Sequence, residues 1–515
     1  YDERITHVLL DTNYMAGGGI AKLEEISAAL QRFKQSGKPV IAIGDSFSQS
    51  QYFLAAHADE IIMNPLGRVM LTGFGSYSSY YKEALDKLKI NVHIFRVGKY
   101  KSAVEPFMGK SMSDAARADR LQLVGSLWQF YTSRVEQLRG LPKGALSDLA
   151  NNMHLRLAEE NGDIAALAIQ QGLIDRIATR SETKAYLEQI LPYSNGDFDS
   201  VPMAAYLNHM KLSSLKTVNK GKPEIAVVVA SGSIIDGNQP EGTIGGDTLA
   251  DMFAAIEDED QVKAVVLRVD SPGGSAFASD VIRDSIASLR KKDIPVVISM
   301  GSYAASGGYW IATESDKIFA LSTTITGSIG VFGVIPTFED SLSALGIYSD
   351  GVGTTNIAGM LQLDRPMSEQ AEMIMQSGVE HVYTRFLTLV ADARDSTPSA
   401  IHEIAQGRVW TGKKALELGL VDELGDLNDA IASAATLAGI NDYRVDYRRK
   451  PLSLIEQVMV EIRGNVHAAV GAIGIQSWLP RTLQLQLASA IKPLQFIDTL
   501  TDPNDVYLYC ETCPQ

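Results

Sequence analysis

The sequence predicts an α/β protein that contains two tandem copies of one unit, each with a parallel sheet. Short apolar runs alternate with amphipathic helical segments, the pattern of βαβ units. The strand runs are continuous in Val and Ile, as expected where both faces of a sheet are covered. A segment of the first half, Gly44–Ala55, also aligns without gaps with Gly301–Ala312 in the second. We therefore expect a duplicated fold.

Each copy presents its elements in the same order. A short apolar strand (His7–Leu10; Ala264–Val269) leads through a Gly-containing turn into a helix whose Leu and Ile positions fall on one face (Ile20–Phe33; Ala276–Leu289). A second strand, KPVIAIGD or IPVVISMG, runs through a small-residue turn into another helix. A third strand and a Thr-Gly turn follow. Each copy then closes with a helical region that ends in A-x-x-x-G-L-hydrophobic-D.

These patterns predict four segments along the chain. An N-terminal repeat covers 1–193, a linker 194–223, a C-terminal repeat 224–445, and a helical extension with a tail 446–515. The linker contains the breaker clusters SNGDFDS and VNKGKP. The extension is helical in pattern over Leu452–Leu500. Its apolar face favours packing or oligomer contacts over a membrane surface, because cationic residues are few.

The two copies do not begin alike. The second opens with a strand, Ile225–Ile234, and a helix, whereas the first residues of the chain match the strand that comes after that helix. We therefore expect a further N-terminal piece ahead of Tyr1 in the full protein. A membrane anchor or a secretory signal could lie in that piece.

Composition restricts the function classes. With 45% hydrophobic and 21% charged residues the chain has the signature of a soluble globular protein, and no 18-residue apolar run occurs in it. A formal net charge of −15 argues against nucleic-acid binding, which needs a basic face. The two cysteines, Cys510 and Cys513, form a single C-x-x-C without a histidine cluster. We expect a tail without a catalytic role, although a local disulfide can form in an oxidising compartment.

The copies differ at chemically important positions. Ser306 of the second copy stands opposite Gln49 of the first, while Lys101 of the first falls opposite Asn356 of the second. The first copy thus has a lysine and no serine, and the second a serine and no lysine. This division suggests one shared site that is built from both copies.

Ser306 lies between a strand and a helix, where its hydroxyl would point out of the sheet edge beside helix N-terminal N–H groups. An S-G-G motif by itself more often describes a plain N-cap serine. The turn in Asp270–Ser275 offers the N–H groups of Gly273 and Gly274. With the N–H of Gly307 they would form an oxyanion hole, commonly worth about 3–4 kcal/mol, although the motif alone indicates a tight βα turn.

Lysine is the candidate base, because none of the eight histidines lies near a motif. A free lysine has a pKa of about 10.4, a general base needs one nearer 7–8, and burial can supply the difference. Lys101 has apolar neighbours; Arg96 and Lys99 would lower its pKa further, and Glu105 would oppose them. Ser328, in TTITGSIGVFG, could orient the amine or be a simple turn serine.

Taken together, GKYKSAVEPF, DSPGGSAFAS, GSYAASGGYWIA and STTITGSIGVFG resemble the signal peptide peptidase A family, also called protease IV, over essentially the whole chain. The match is to its long, tandem-repeat bacterial form. The resemblance implies crotonase/Clp-protease-like repeats of ββα type and a Ser–Lys dyad. It also implies an N-terminal inner-membrane anchor, a periplasmic catalytic body and a bowl-shaped tetramer that cuts released signal peptides and other extended apolar peptides.

Carried over by motif, the resemblance makes Ser306 the nucleophile, Lys101 the general base and Ser328 the serine that orients it. N–H groups of Gly307 and of the Pro-Gly-Gly turn would be the oxyanion donors, and no cofactor or metal is implied. The choice of Lys101 over Lys99 rests on the Tyr-Lys-Ser-Ala context. The residues leave open whether the dyad forms within one chain or between two.

Three rival interpretations compete with this one. A Clp-type Ser-His-Asp protease would place a histidine soon after the helix that follows the serine, yet 307–338 contains none. A crotonase-like acyl-CoA enzyme would need an acid/base carboxylate in the pocket and no exposed nucleophile. An inactive scaffold of the same architecture is disfavoured by the presence of both Ser306 and Lys101. The sequence thus predicts a serine endopeptidase.

Overall fold

The computed structural model describes residues 2–194, 197–215, 221–448 and 502–510. Over these ranges, no helix combines the length and apolar character needed to cross a membrane. The chain divides into two compact units. The first unit comprises Tyr1–Tyr77, Arg120–Lys222 and Leu321–Thr324, and the second comprises Ser78–Asp119, Pro223–Ala320 and Ile325–Gln515.

The helices and strands alternate along both halves of the chain. Up to residue 215 the elements are β1 Val8–Asp11, α1 Ile20–Lys34, β2 Val40–Gly44, α2 Gln49–Ala55, β3 Glu60–Met63, α3 Lys82–Lys87, β4 Asn91–Val97, α4 Glu105–Met108, α5 Asp114–Arg139, α6 Ala145–Glu159, α7 Ile164–Gln170, β5 Arg176–Ile177, α8 Arg180–Ile190, β6 Tyr193–Ser194, β7 Asp197–Phe198 and α9 Met203–Leu215.

The part of the chain after residue 221 contains more strands than the part before it. They are β8 Glu224–Ser231, β9 Ile234–Ile235, β10 Ile244–Gly245, α10 Gly246–Glu257, β11 Val262–Ser271, β12 Gly273–Ser275, α11 Ala276–Lys291, β13 Val296–Ala305, α12 Gly307–Trp310, a 3₁₀ turn Ile311–Glu314, β14 Lys317–Ala320, β15 Ile325–Gly327, β16 Val331–Thr337, α13 Glu339–Ala344, α14 Glu369–Ala393, α15 Pro398–Ile404, β17 Val409–Thr411, α16 Gly412–Glu417, β18 Glu423–Leu424, α17 Leu427–Leu437, β19 Arg444–Arg448 and β20 Tyr507–Tyr509.

The first unit contains a four-stranded parallel sheet in the order β1-β2-β3-β5. Its core joins this sheet to α1, α2, α6 and α7. Tyr52 on α2 is fully buried, and its hydroxyl donates to the carbonyl of Leu173 at 2.7 Å. The second unit repeats this contact, since the Tyr309 hydroxyl donates to the carbonyl of Leu420 at 2.7 Å. Both tyrosines occupy equivalent positions of the predicted repeat.

The second unit is organised around a larger sheet with the strand order β17-β15-β13-β11-β8-β19, in which β14 also pairs with β13. Its central strands β8, β11 and β13 are parallel. Successive residues of β8 point to opposite faces: Ala226 and Val228 join the main core, while Ile225 and Val227 pack against α17. Both faces are therefore covered, which explains the continuous apolar runs and confirms the predicted α/β class with parallel sheets.

A second, six-stranded sheet in the same unit has the order β10-β9-β12-β20-β16-β4. Strand β4 comes from the first half of the sequence, but it pairs antiparallel with β16 over its full length, from Val331 opposite Val97 to Thr337 opposite Asn91. This pairing places Ser78–Asp119 in the second unit. The β4–β16 ladder is the feature that carries Lys101 toward Ser306.

The C-terminal part of the chain departs from the expected tail. Asp502–Cys510 packs into the second unit, where β20 lies between β12 and β16. Cys510 is buried and disulfide-bonded. The chain has one other cysteine, Cys513, which lies outside the described residues, as does the whole helical extension predicted over Leu452–Leu500.

Candidate active site

Ser306 stands at the junction of β13 and the single turn α12. Its backbone adopts φ 56° and ψ −113°, a conformation that is costly for a residue with a side chain. Two backbone hydrogen bonds hold it there. The Ser306 N–H donates to the Gly327 carbonyl at 2.8 Å, and the Trp310 N–H donates to the Ser306 carbonyl at 2.9 Å. The side chain is fully buried. This sharp turn places Ser306 directly after the end of β13 and before the start of α12.

Lys101 follows β4 in a turn that is tied to a distant loop. Gly98, at φ 117°, makes the turn, and the Tyr100 N–H donates to the Gln406 carbonyl at 2.8 Å. Lys101 is only 1% exposed, and its Nζ lies 2.8 Å from the Oγ of Ser306. The structure therefore brings the predicted pair together within one chain.

Burial changes the proton affinity of Lys101. Desolvation lowers the pKa of its amine well below the ordinary value. Arg96 and Lys99, which were expected to lower this pKa further, do not contribute to the shift. Arg96 pairs with Glu105 at 3.7 Å, and Lys99 is exposed, with its ammonium 5.6 Å from the Tyr100 ring centre. The contrast in burial also distinguishes Lys101 from Lys99 as the candidate base. An uncharged amine beside a hydroxyl can accept its proton.

Ser328 lies on the other side of the amine. Its Oγ and its carbonyl oxygen are each 3.2 Å from the Nζ of Lys101. The residue has φ 51°, and its N–H donates to the Arg408 carbonyl at 2.7 Å. Ser306 and Ser328 thus flank the amine from two fixed turns, an arrangement that orients it.

The three predicted oxyanion glycines also lie together. The Cβ of any larger residue at Gly273 would stand 2.7 Å from the Gly307 nitrogen, and one at Gly307 would stand 3.2 Å from the Gly274 nitrogen. The Gly273 N–H already donates to the Oγ of Ser271 at 3.1 Å. For the Gly307 N–H the described ranges contain no hydrogen-bond acceptor. Gly307 is therefore the donor most readily available to a substrate carbonyl.

Sequence reasoning missed the glycines that pack on the lysine. A Cβ at Gly407 would lie 2.6 Å from the backbone nitrogen of Lys101, and one at Gly330 would lie 3.2 Å from its Cδ. Gly407 sits at φ 82°. In the sequence, Gly407 stands some 300 residues away from Lys101, so no local pattern could connect the two.

A small cavity borders Lys101, and its lining also includes Ser328, Asp119 and Tyr509. Asp119 is buried but is held by Arg408, whose Nε lies 3.3 Å from its carboxylate. Among the described residues, no group of three or more His, Cys, Asp or Glu side chains is arranged to hold a metal ion. The chemistry that this arrangement can perform is proton transfer from hydroxyl to amine and nucleophilic attack by the hydroxyl.

Comparison with known proteins identifies the family of this chain. The sequence profile of peptidase family S49 matches residues 32–191 and 288–441. The chain belongs to peptidase family S49. The two matched segments indicate a duplication and fall within the repeats predicted at 1–193 and 224–445. The resemblance to the protease IV family is thereby confirmed.

Individual relatives support the same assignment. Protease 4 of Salmonella typhi is 42% identical over 513 residues, which are 99% of this chain and 82% of that protein. Protease 4 of Haemophilus influenzae is 38% identical over 522 residues, 99% and 83% of the two chains. An Enterococcus faecium protein that carries the name signal peptide peptidase SppA is 32% identical over 259 residues, which are 49% of this chain and 70% of that protein. The S49 chain described here is a serine peptidase.

Proposed function

We propose that this S49 peptidase is an endopeptidase with a Ser306–Lys101 dyad. The observation that carries the proposal is the 2.8 Å separation of Lys101 Nζ and Ser306 Oγ, at a lysine whose burial lowers its pKa. A buried amine next to a weak nucleophile is the arrangement that general-base activation requires.

The reaction begins with neutral Lys101, which takes the Ser306 proton as Oγ forms a bond to the scissile carbonyl carbon. The carbonyl oxygen becomes an oxyanion and accepts a hydrogen bond from the Gly307 N–H. Collapse of this intermediate breaks the peptide bond, and the protonated Lys101 gives its proton to the leaving amine. Water then attacks the acyl-enzyme with Lys101 as base again. Ser328 keeps the amine oriented through both steps.

We propose released signal peptides and other extended apolar peptides as substrates. The name of the Enterococcus faecium relative supports this choice, and so does the motif resemblance. On the same resemblance we propose that the enzyme works at the bacterial inner membrane with its catalytic body in the periplasm. A bowl-shaped homotetramer completes the proposal, since it would keep folded proteins away from the site.

Covalent labelling tests the dyad directly. A serine-reactive phosphonate should modify Ser306 in the wild type, and Lys101→Ala should abolish labelling because no other base is proposed. Lys99→Ala is a matched control, two residues away and exposed, and it should label at the wild-type rate. Full labelling of Lys101→Ala would reject the general base, and modification at another residue would reject the nucleophile.

The rival mechanisms find no support around the serine. His93 is engaged with Glu372 and Thr337, and His402 with Tyr383, so neither is turned toward Ser306 as a triad histidine would be. Asp119, a carboxylate that lines the cavity at Lys101, is paired with Arg408 rather than poised as an acid or base.

A further inference from the structure

The loop that joins α15 to β17, residues 405–408, contacts two turns of the candidate active site. On one side, the Tyr100 N–H donates to the Gln406 carbonyl at 2.8 Å, next to the lysine of the dyad. On the other side, the Ser328 N–H donates to the Arg408 carbonyl at 2.7 Å. The loop therefore fixes the turn that carries the lysine relative to the serine that orients its amine.

Arg408 also reaches the lysine turn with its side chain. The central carbon of its guanidinium lies 4.2 Å from the centre of the Tyr100 ring and 5.0 Å from the centre of the Trp410 ring. Its Nε lies 3.3 Å from a carboxylate oxygen of Asp119, whose side chain is 6% exposed. One permanently charged, planar side chain thus connects α5, β17 and the turn next to the catalytic amine.

The location of Asp119 makes this ion pair important for the amine. Asp119 and Lys101 line the same cavity, and both are buried, so solvent screens the interaction between their charges only weakly. An uncompensated carboxylate at this place would stabilise the ammonium form of the lysine and raise its pKa. Arg408 compensates that carboxylate, and desolvation is left to lower the pKa of Lys101.

The other ionisable groups around the amine do not compensate Asp119. They come from the lysine turn and from β20, and they are Arg96, Lys99, Tyr100, Glu105 and Tyr509. Arg96 and Glu105 pair with each other at 3.7 Å, and Lys99 is exposed. The ion pair of Asp119 with Arg408 is therefore the one whose loss would change the charge facing the amine.

We propose that Arg408 is a positioning residue for the dyad, which fixes the Lys101 turn against Ser328 and compensates Asp119 so that the amine stays uncharged. The inference rests on the proposed peptidase function. Arg408 acts through Tyr100 and Asp119. An arginine with a merely structural role would affect stability without moving the pH at which the lysine loses its proton.

The test measures the rate of Ser306 labelling by a phosphonate against pH in the full chain. Arg408→Gln should move the inflection of this profile upward by about one pH unit, because the Asp119 carboxylate then favours the ammonium form. At a pH below both inflections, labelling should be about tenfold slower than in the wild type, in proportion to the smaller fraction of neutral amine.

Asp119→Asn should have the opposite effect. The Arg408 cation then loses this anion, and the inflection should move downward by about half a pH unit, less than the upward shift because the Arg408 side chain is partly exposed. The double variant Asp119→Asn/Arg408→Gln removes both charges and should return the inflection to the wild-type value. Arg408→Lys keeps the charge and should do the same.

Arg290→Gln is the matched control, since Arg290 pairs with Asp316 at 3.0 Å on the surface of the same unit. Its labelling rate and inflection should equal those of the wild type. An inflection that moves in the same direction in both single variants, or that stays in place in either folded variant, would overturn the proposal. If Arg408→Gln does not fold, the downward shift in Asp119→Asn remains the required result.

The same measurement separates this inference from the proposed function. A wild type that is not labelled at Ser306 means that the peptidase mechanism fails. Labelling at Ser306 with an inflection that neither Arg408→Gln nor Asp119→Asn moves means that the role of Arg408 fails alone.

Discussion

Gly407→Ala tests whether catalysis depends on the position of the Lys101 backbone. The new Cβ would stand 2.6 Å from the Lys101 nitrogen and 2.7 Å from its Cα and Cβ, whereas ordinary contacts begin at 3.4 Å. The clash is with backbone and must be relieved by a shift of about 0.7 Å. Alanine at φ 82° costs about 1–2 kcal/mol in addition.

The shift bears directly on the reaction, because the 2.8 Å contact of Lys101 Nζ with Ser306 Oγ has little room to lengthen before proton transfer fails. A misplacement near 1 Å can cost about 100-fold, so we expect kcat to fall about 10- to 100-fold with a smaller change in KM. The assay is steady-state hydrolysis of an apolar peptide, normalised to folded enzyme by circular dichroism.

Gly419→Ala is the control for Gly407→Ala. Gly419 has φ 74°, and a Cβ there would meet nothing within 4 Å, so this variant carries the backbone strain without the clash. We expect a similar loss of about 1–2 kcal/mol in unfolding free energy and an unchanged kcat. If the two variants had equal kcat values, the reasoning that links Gly407 to the lysine would be refuted.

The remaining predictions concern protonation and orientation. The rate of Ser306 acylation should rise with pH as Lys101 loses its proton and should level off below pH 10.5; an inflection at or above that value would contradict a lowered pKa. Lys101→Met should stabilise the fold strongly at pH 7 and much less at pH 10. Folding of the wild type releases the lysine proton, which lowers its unfolding free energy by about 1.4 kcal/mol for each pH unit below 10.5 until the folded pKa is reached. Urea titrations at both pH values measure the difference. Ser328→Ala should slow acylation about tenfold, because the amine loses its contact with the Ser328 hydroxyl but keeps the one with the Ser328 carbonyl. Stopped-flow labelling measures the rate, and an unchanged rate would contradict the orienting role. Desolvation raises the pKa of Asp236 to about 6, so Asp236→Asn should raise the thermal midpoint at pH 8. That advantage should shrink as the pH falls from about 6 towards 3.8 and vanish below about pH 3, where the carboxyl is protonated in both the folded and the unfolded wild type.

Local patterns predicted the elements of this fold well. The helices expected at Ile20–Phe33 and Ala276–Leu289 are observed as Ile20–Lys34 and Ala276–Lys291, because apolar spacing near 3.6 residues reports directly on the buried face. Within the region expected as a linker, the structure describes the helix Met203–Leu215. The repeat itself was visible because both copies kept the same turn residues.

Long-range pairing could not be predicted in the same way. The local sequence of Asn91–Val97 does not indicate that this strand pairs with Val331–Thr337. The local sequence of Tyr507–Tyr509 likewise does not indicate pairing with Gly273–Ser275. Such pairings depend on which sheet edges are open after the rest has folded. The lysine and the serine were found through the comparison of the two copies and the motif resemblance, and Gly407 had no comparable signal.

The β4–β16 ladder has a consequence for biosynthesis. Residues near position 97 cannot reach their partners until the ribosome has delivered residues beyond 331, so the amine and the hydroxyl remain apart while most of the polypeptide is being made. Under the proposed dyad mechanism, a nascent chain would therefore lack its paired base and nucleophile until residues beyond 331 have been made. Contacts this distant in sequence also form late, which makes acquisition of activity a useful clock for the final stage of maturation.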